Sequence, residues 1–253
     1  LIDLTTFAPL LLLLLGGISA LYGTIVFPSQ PSIKTSLAYS SIGHMGFSLM
    51  VCGMGLYSAS LLHLVAHSFY KAHSFLSSGS AIDKHRLNQL KGNIEFKATI
   101  WNAATGFLIT CILYLVISEL WGGVAHHNFQ FLVLGIIIIV GVFSYMIQVT
   151  SLENGLTTIL KSTVIAGFVL LSFFSLESSI ASLIGQQVPA LSNPSTLIKM
   201  ASIILLIGFI MTVFIPMFAR TNTNKWETYR RNGFYLHVIF DRLVSSEKVK
   251  NTK

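Results

Sequence analysis

A helix that crosses the ~30 Å hydrocarbon core of a bilayer needs about 20 mostly apolar residues. About seven such stretches fill this sequence, near Thr5–Phe27, Ser32–Gly55, Tyr57–Ile82, Ala98–Leu120, Phe129–Thr150, Gly155–Ile184 and Thr196–Ala219. In lipid only helices and closed barrels satisfy every backbone group, and the strict alternation of barrel strands is absent. The expected fold is all-α: a polytopic transmembrane helix bundle of about seven spans over residues 1–219, followed by a basic and aromatic tail, 220–253. Composition excludes the soluble alternative. Only 10% of the 253 residues are charged, against roughly 25% in soluble domains, too few to cover a surface in water. Disorder is excluded by the hydrophobicity, and two cysteines, Cys52 and Cys111, make at most one bridge. Both lie in apolar runs and read as small core residues. The chain starts at Leu1, in an apolar run without a basic n-region or small-residue cleavage site. It is expected to be a C-terminal piece of a longer protein rather than to begin with a signal peptide.

Charge gives the direction of the spans. With the stretches numbered 1 to 7, the connections after 1, 3 and 5 and the tail share one side. That side takes Lys34, Lys84, Arg86, Lys91, Lys97, Arg220, Lys225, Arg230, Arg231, Arg242, Lys248, Lys250 and Lys253, while the other side has only Lys199 at a helix start. By the positive-inside rule the basic side is cytoplasmic, which puts the C-terminus inside and the chain in the cell inner membrane as a multi-pass protein. The net charge of +7 thus reports topology rather than a nucleic-acid partner. Besides the lipid bilayer itself, the tail, with Trp226, Tyr229, Arg230, Arg231, Phe234, Tyr235 and Phe240, suits an interfacial segment or a docking site for a partner.

Ionisable groups inside the apolar stretches are the exceptions. Lys71, Lys161, His44, His63, His67 and His73 lie there, and such groups cost on the order of 3 kcal/mol each and usually mark ion pathways. In stretch 3, Ser60, His63, His67, Lys71, Ser74 and Ser78 fall within an arc of about 80° at ~100° per residue, and from Ser60 to Ser78 the rise is about 27 Å. Leu62, Val65, Phe69 and Leu76 occupy the far side, together with His73. One helix face is thus a polar stripe nearly as long as the hydrocarbon is thick. Histidine titrates near pH 6.5, and lysine deprived of water falls from ~10.4 toward neutrality, so both types can take and give protons. The stripe reads as a proton relay of His63, His67 and Lys71, supported by Ser60, Ser74 and Ser78. Two other readings stand beside it: hydrogen-bonding glue between helices, and a metal site on His pairs at i, i+4, which no acidic or thiol residue accompanies.

In stretch 2, Pro28 and Pro31 break the helix beforehand. Lys34 sits at its basic end, either snorkelling or at the mouth of a path, and His44, near mid-membrane on the side of Ser41 and Ser48, is a candidate relay group that extends the hydrated zone. In stretch 6, Asn154, Thr157, Lys161, Ser172, Ser175 and Ser179 share a face that Ile165 and Phe168 interrupt. Lys161 is a candidate relay group or a snorkelling one. The His126/His127 pair has no assigned role. No Gly-rich phosphate loop, cysteine cluster or Ser/His/Asp arrangement occurs. Neither a cofactor nor a metal is expected, and the chain itself is not expected to perform redox or hydrolytic chemistry.

The run Lys34-Thr-Ser-Leu-Ala-Tyr-Ser-Ser-Ile-Gly-His-Met-Gly-Phe47 and the run from His63 through His67, Phe69-Tyr-Lys71 and Phe75 to Gly79 resemble the proton-conducting antiporter-type membrane subunits. These occur in respiratory complex I and in multisubunit cation/proton antiporters. The resemblance is strong from Lys34 to Asp83 and weak over stretches 4 to 7. It implies that His63, His67 and Lys71, and more loosely Lys34, line a hydrated proton path. His44 and Lys161 gain less from it. The Phe-Tyr-Lys-Ala-His-Ser-Phe-Leu run and the tail's Asn232 to Leu243 are most similar to the membrane subunits of inorganic-carbon (CO2/bicarbonate) accumulation systems. That likeness implies a partner: a large soluble cytoplasmic zinc protein resembling a carbonic anhydrase. The alternative it leaves open is a proton-translocating subunit of a complex I-like NADH-quinone oxidoreductase or membrane hydrogenase, with other respiratory-complex subunits as partners. A third alternative is a structural membrane scaffold. The chain departs from the largest complex I version in its short polar tail after Ala219 and lacks the family's N-terminal repeat.

Overall fold

The computed structural model describes residues 2–77, 100–121, 128–152, 156–185, 187, 194–218, 224–236, 238, 241 and 242. Seven long helices occupy the seven apolar stretches: α1 (Ile2–Val26), α2 (Ile33–Gly53), α3 (Tyr57–Leu76), α4 (Ile100–Leu120), α5 (Phe129–Leu152), α6 (Leu156–Ile184) and α7 (Thr196–Phe218). A short helix, α8 (Asn224–Arg231), and a tight turn, Gly233–Tyr235, follow. No strand occurs among the described residues.

Among the described residues, three stretches are by length and composition long and apolar enough to cross a membrane, Phe7–Ser29, Phe129–Val149 and Thr157–Ile184. Ala104–Leu120 and Thr196–Thr212 are shorter apolar helices. Helices α2 and α3, of 21 and 20 residues, are long enough but too polar to qualify, because they carry the histidines, lysines and serines singled out above. They hold their place through neighbours. Helix α2 packs between α1 and α3, α3 reaches α6, α6 meets α5, and α5 returns through α7 to α1, closing a ring, with α4 against α5 and α6. The central core draws Leu13, Met50, Val51, Met54, Leu56, Ala59, Val133, Leu134, Ile198, Ala201 and Leu205 from five of these helices and the turn after α2. The outward faces are apolar as well: Ile18, Leu108, Val164, Phe168 and Ile204 are all at least 60% exposed. Such faces suit lipid tails rather than water.

Since lipid gives no hydrophobic drive between helices, close packing and hydrogen bonds must supply it. The α1–α2 seam does so with small residues. A Cβ added to Gly46 would stand 2.6 Å from the Ala20 nitrogen and 2.7 Å from the Gly16 oxygen, and one on Gly53 would stand 2.5 Å from the Leu13 nitrogen. Gly16 and Gly23 approach the Met50 and Gly43 backbones equally closely. Backbone touches backbone along most of α2.

The α2–α3 turn sets the register of everything below. Gly55 has φ +84°, a left-handed position that glycine adopts at little cost. Its N–H donates to the Cys52 carbonyl at 2.9 Å, and the Leu56 N–H donates to the Val51 carbonyl at 3.2 Å. This double closure is the Schellman termination of a helix, completed by the hydrophobic contact it favours, since Val51 and Leu56 are both in the core. Helix α3 starts two residues after Gly55, so α2 and α3 run antiparallel as a tight hairpin.

Candidate functional site

The hairpin register places the polar residues of α2 opposite the stripe of α3, in steps from the turn toward the basic end. Nearest the turn, the Ser60 hydroxyl donates to the Ser48 carbonyl at 2.8 Å. About one turn further, Nδ1 of His44 lies 3.3 Å from Nε2 of His63, so either ring can donate to the other according to which nitrogen carries the proton. His44 also faces His67, with ring centroids 4.9 Å apart, while His63 and His67 stack at 6.3 Å. Deepest toward the basic end, the buried Lys71 ammonium donates to the Leu37 carbonyl, which also accepts the Ser41 hydroxyl at 3.1 Å. His67 and Lys71 are only 8% and 7% exposed. On the turn side the cluster is closed by Phe47, whose ring meets His63 edge-on at 4.8 Å and Phe209 of α7 at 6.3 Å.

The structure therefore brings together His44, His63, His67 and Lys71, with Ser60 and Ser41 beside them. His44 bridges the two histidines of α3, a role its own helix gave no means of reading. Lys34 and Lys161 are not in the cluster. Lys34 is exposed in the first turn of α2, three residues before Leu37, and Lys161 is exposed in the second turn of α6. The Ser74 hydroxyl turns back to the Tyr70 carbonyl at 2.8 Å. His73 is exposed on the far face. Ser78, Asn154, His126 and His127 lie outside the described residues.

Two features were missed by sequence reasoning. The Ser58 hydroxyl donates to the Glu177 carboxylate at 2.7 Å, tying the start of α3 to α6. A carboxylate within a long apolar helix was the available signal. The second is the Leu37 carbonyl, a backbone group that no side-chain pattern announces. A cleft of about 830 Å³ opens beside the turn end of the stripe, lined by Ser48, Cys52, Tyr57, Ser60, Ile184 and Gln187 among others. The Ser48 hydroxyl and Nε2 of His67 are buried without a hydrogen-bond partner among the described residues, although nearly all buried polar groups have one.

Antiparallel helices thus carry titratable side chains into a ring of apolar helices, and comparison with known proteins gives that arrangement a family context. Residues 3–118 match the family described as NADH:quinone oxidoreductase/Mrp antiporter, TM. The chain is 44% identical over 94 residues to a probable inorganic carbon transporter subunit DabB2 of Halothiobacillus neapolitanus, covering 37% of this chain and 17% of that protein. It is 34% identical over 142 residues to the probable DabB of Bacillus subtilis, covering 53% and 28%. It is 40% identical over 76 residues to NADH-quinone oxidoreductase subunit L of Rickettsia typhi, covering 30% and 11%. The matched stretches thus span less than a third of these relatives' lengths. Over residues 3–118 the chain is thus similar to the antiporter-type membrane subunits, and its apolar helices are those of a multi-pass membrane protein.

Proposed function

We propose that this chain conducts protons as part of an energy-coupled inorganic-carbon accumulation complex, passing them along Lys71, His67, His44 and His63 toward Ser60 and the cleft. One observation carries the reading: three imidazoles in mutual contact, one turn from a buried lysine, form a continuous row of groups that both accept and donate protons. Hydrogen-bonding glue needs no such continuity. Lys34 stands at the basic mouth of the row, and Lys161 belongs to a separate entry on α6. Protons are the favoured ion over Na+, because imidazole and ammonium groups carry protons and present no carboxylate cage.

The similarity to DabB subunits supports a large soluble cytoplasmic partner of the carbonic-anhydrase-like zinc type, docked at the basic end where the 220–253 tail emerges from the 1–219 bundle. In this reading the C-terminus is cytoplasmic, and the chain supplies ion flow while chemistry belongs to the partner. A second reading rests on the similarity to subunit L: the same row serving a respiratory enzyme whose other subunits carry the redox centres.

The test is growth. The gene encoding this chain is co-expressed with its neighbouring large soluble gene in a bacterium lacking carbonic anhydrase, and growth is measured in ambient air with and without Lys71→Ala. Rescue that vanishes with the substitution, while both proteins remain assembled, supports the proposal. Absence of rescue by the assembled wild type moves the chain to the respiratory reading, and rescue that survives Lys71→Ala removes Lys71 from any path.

A further inference from the structure

The tail does not simply leave the bundle. After α8 the chain turns back onto the ends of α1 and α2, and three consecutive residues, Gly233, Phe234 and Tyr235, take φ of +55°, +52° and +56°. A left-handed backbone costs roughly 1–2 kcal/mol for each residue with a side chain, and it persists only where its surroundings over-determine it. The surroundings here are specific. The Tyr22 hydroxyl of α1 donates to the Gly233 carbonyl at 3.0 Å. The Tyr22 ring meets Phe234 at 6.3 Å and Tyr39 of α2 at 5.9 Å. The Gln30 amide donates to the Arg231 carbonyl at 3.2 Å, and the Asn232 amide donates to the Tyr235 hydroxyl at 2.6 Å. Gly233 has no room for a side chain, because a Cβ would stand 2.6 Å from the Tyr39 oxygen and 3.0 Å from the Tyr22 oxygen.

What this turn seats upon is the segment of α2 that serves Lys71. Tyr39 is two residues beyond Leu37, about 3 Å along the axis and 200° around it. The first turns of α2 are thus held from two sides, by the Lys71 ammonium of α3 at the Leu37 carbonyl and by Tyr22 and the tail turn at Tyr39.

We propose that the Gly233–Tyr235 turn is a seat that holds this part of α2 in place, with Tyr22 and Gly233 as positioning residues for the Lys71 end of the relay. The inference rests on the proton-conduction reading above. It gives the tail a mechanical role: whatever engages the exposed Tyr229, Arg231 and Tyr235 pulls on the backbone that fixes the acceptor of Lys71. Seating supports conduction, so loosening the turn lowers flux.

The experiment uses the full-length protein in proteoliposomes, with proton flux followed by an entrapped pH dye and backbone hydrogen exchange followed over Thr35–Ser41. Tyr22→Phe removes one hydroxyl and keeps the ring, and Gly233→Ala fills the space beside Tyr39. Both variants are expected to speed exchange over Thr35–Ser41, leave α5 unchanged, and lower flux roughly two- to tenfold, the range that one net hydrogen bond spans. Should Gly233→Ala fail to assemble, Tyr22→Phe carries the test, since it creates no clash. Faster exchange with unchanged flux would reduce the turn to a structural clasp and overturn the proposal, and so would increased flux, which would make the turn a plug. Unchanged exchange in Tyr22→Phe would overturn it at the first step. Lys71→Ala is measured alongside: if it conducts normally, the conduction reading itself has failed, whereas loss of flux in Lys71→Ala with normal flux in Tyr22→Phe isolates the failure to the seat.

Discussion

Lys71→Met separates a relay lysine from a structural one, because the two roles predict opposite signs. Methionine keeps the length and most of the volume of the side chain and deletes its charge. The lysine is 7% exposed, and a charge at such depth costs about 2.5–3.5 kcal/mol on insertion scales. Its hydrogen bond to the Leu37 carbonyl returns about 1.5–3 kcal/mol, the range for a charged donor. Deleting it leaves no orphan, since the Ser41 hydroxyl still donates to that carbonyl at 3.1 Å. No carboxylate pairs with Lys71 among the described residues, so no buried counter-charge is stranded either. The balance runs from about −0.5 to about +2 kcal/mol of added stability, while proton flux is lost. Thermal unfolding in detergent gives the first quantity and dye-reported flux in proteoliposomes the second. A destabilisation above about 2 kcal/mol would mean that the ammonium binds helices together, and retained flux would exclude it from the path. Either result refutes the reasoning.

Three further predictions concern other parts of the ring. His44→Ala and His63→Ala are each expected to lower flux at least about tenfold, and the double variant no further than the worse single one, because adjacent links of one chain are not independent. Additive losses would place the two rings on separate paths. Ser58→Ala is expected to lower thermal stability by about 1–2 kcal/mol through loss of a charge-assisted hydrogen bond and to leave flux unchanged, the Glu177 contact lying away from the stripe; reduced flux would bring Glu177 into the mechanism. Gly46→Ala is expected to destabilise by about 1–3 kcal/mol through overpacking against the Ala20 and Gly16 backbone, whereas Gly141→Ala, with open space around it, gains up to about 1 kcal/mol of helix propensity. Equal shifts in the two melting temperatures would show that the α1–α2 seam is not close-packed.

The spans were legible because an apolar stretch of fixed length is a local signal, and each helix lies within a few residues of its stretch. The α3 stripe was legible for the same reason: helical period alone aligns Ser60, His63, His67 and Lys71. What sequence could not give was the partner of each group. His44 fits the cluster only because Gly55 ends α2 where it does, and a shift of one residue in that turn would rotate His44 about 100° away from His63. The Leu37 carbonyl is invisible to any reading of side chains. Lys161 was read from the same apolar context as Lys71, yet burial divides them, and burial depends on which helices close the ring.

That ring explains how two helices too polar for lipid can sit in a membrane. Helix α2 faces α1 along a glycine seam so close that no lipid tail enters, and α3 turns its stripe toward α2 while Val65, Phe69 and Leu76 remain outside. Most of these polar groups therefore find partners on the facing helix, Ser48 Oγ and His67 Nε2 excepted, and the cost of placing them in hydrocarbon falls on packing rather than on exposure. The same closeness makes α2 a fixed backbone reference. In the proposed relay, protons move along side chains of α3 only if the carbonyl and imidazole they meet on α2 stay within hydrogen-bond reach, and a seam of backbone contacts is a stiff means of keeping them there. A Cβ at Gly46 should therefore reach the relay as well as the melting temperature, because moving α2 off α1 moves His44, two residues away, toward α3 by several tenths of an ångström on the scale of the overlap it must relieve. If Gly46→Ala lowered stability but left flux and the coupling between His44 and His63 untouched, the rigidity of the seam would serve folding alone.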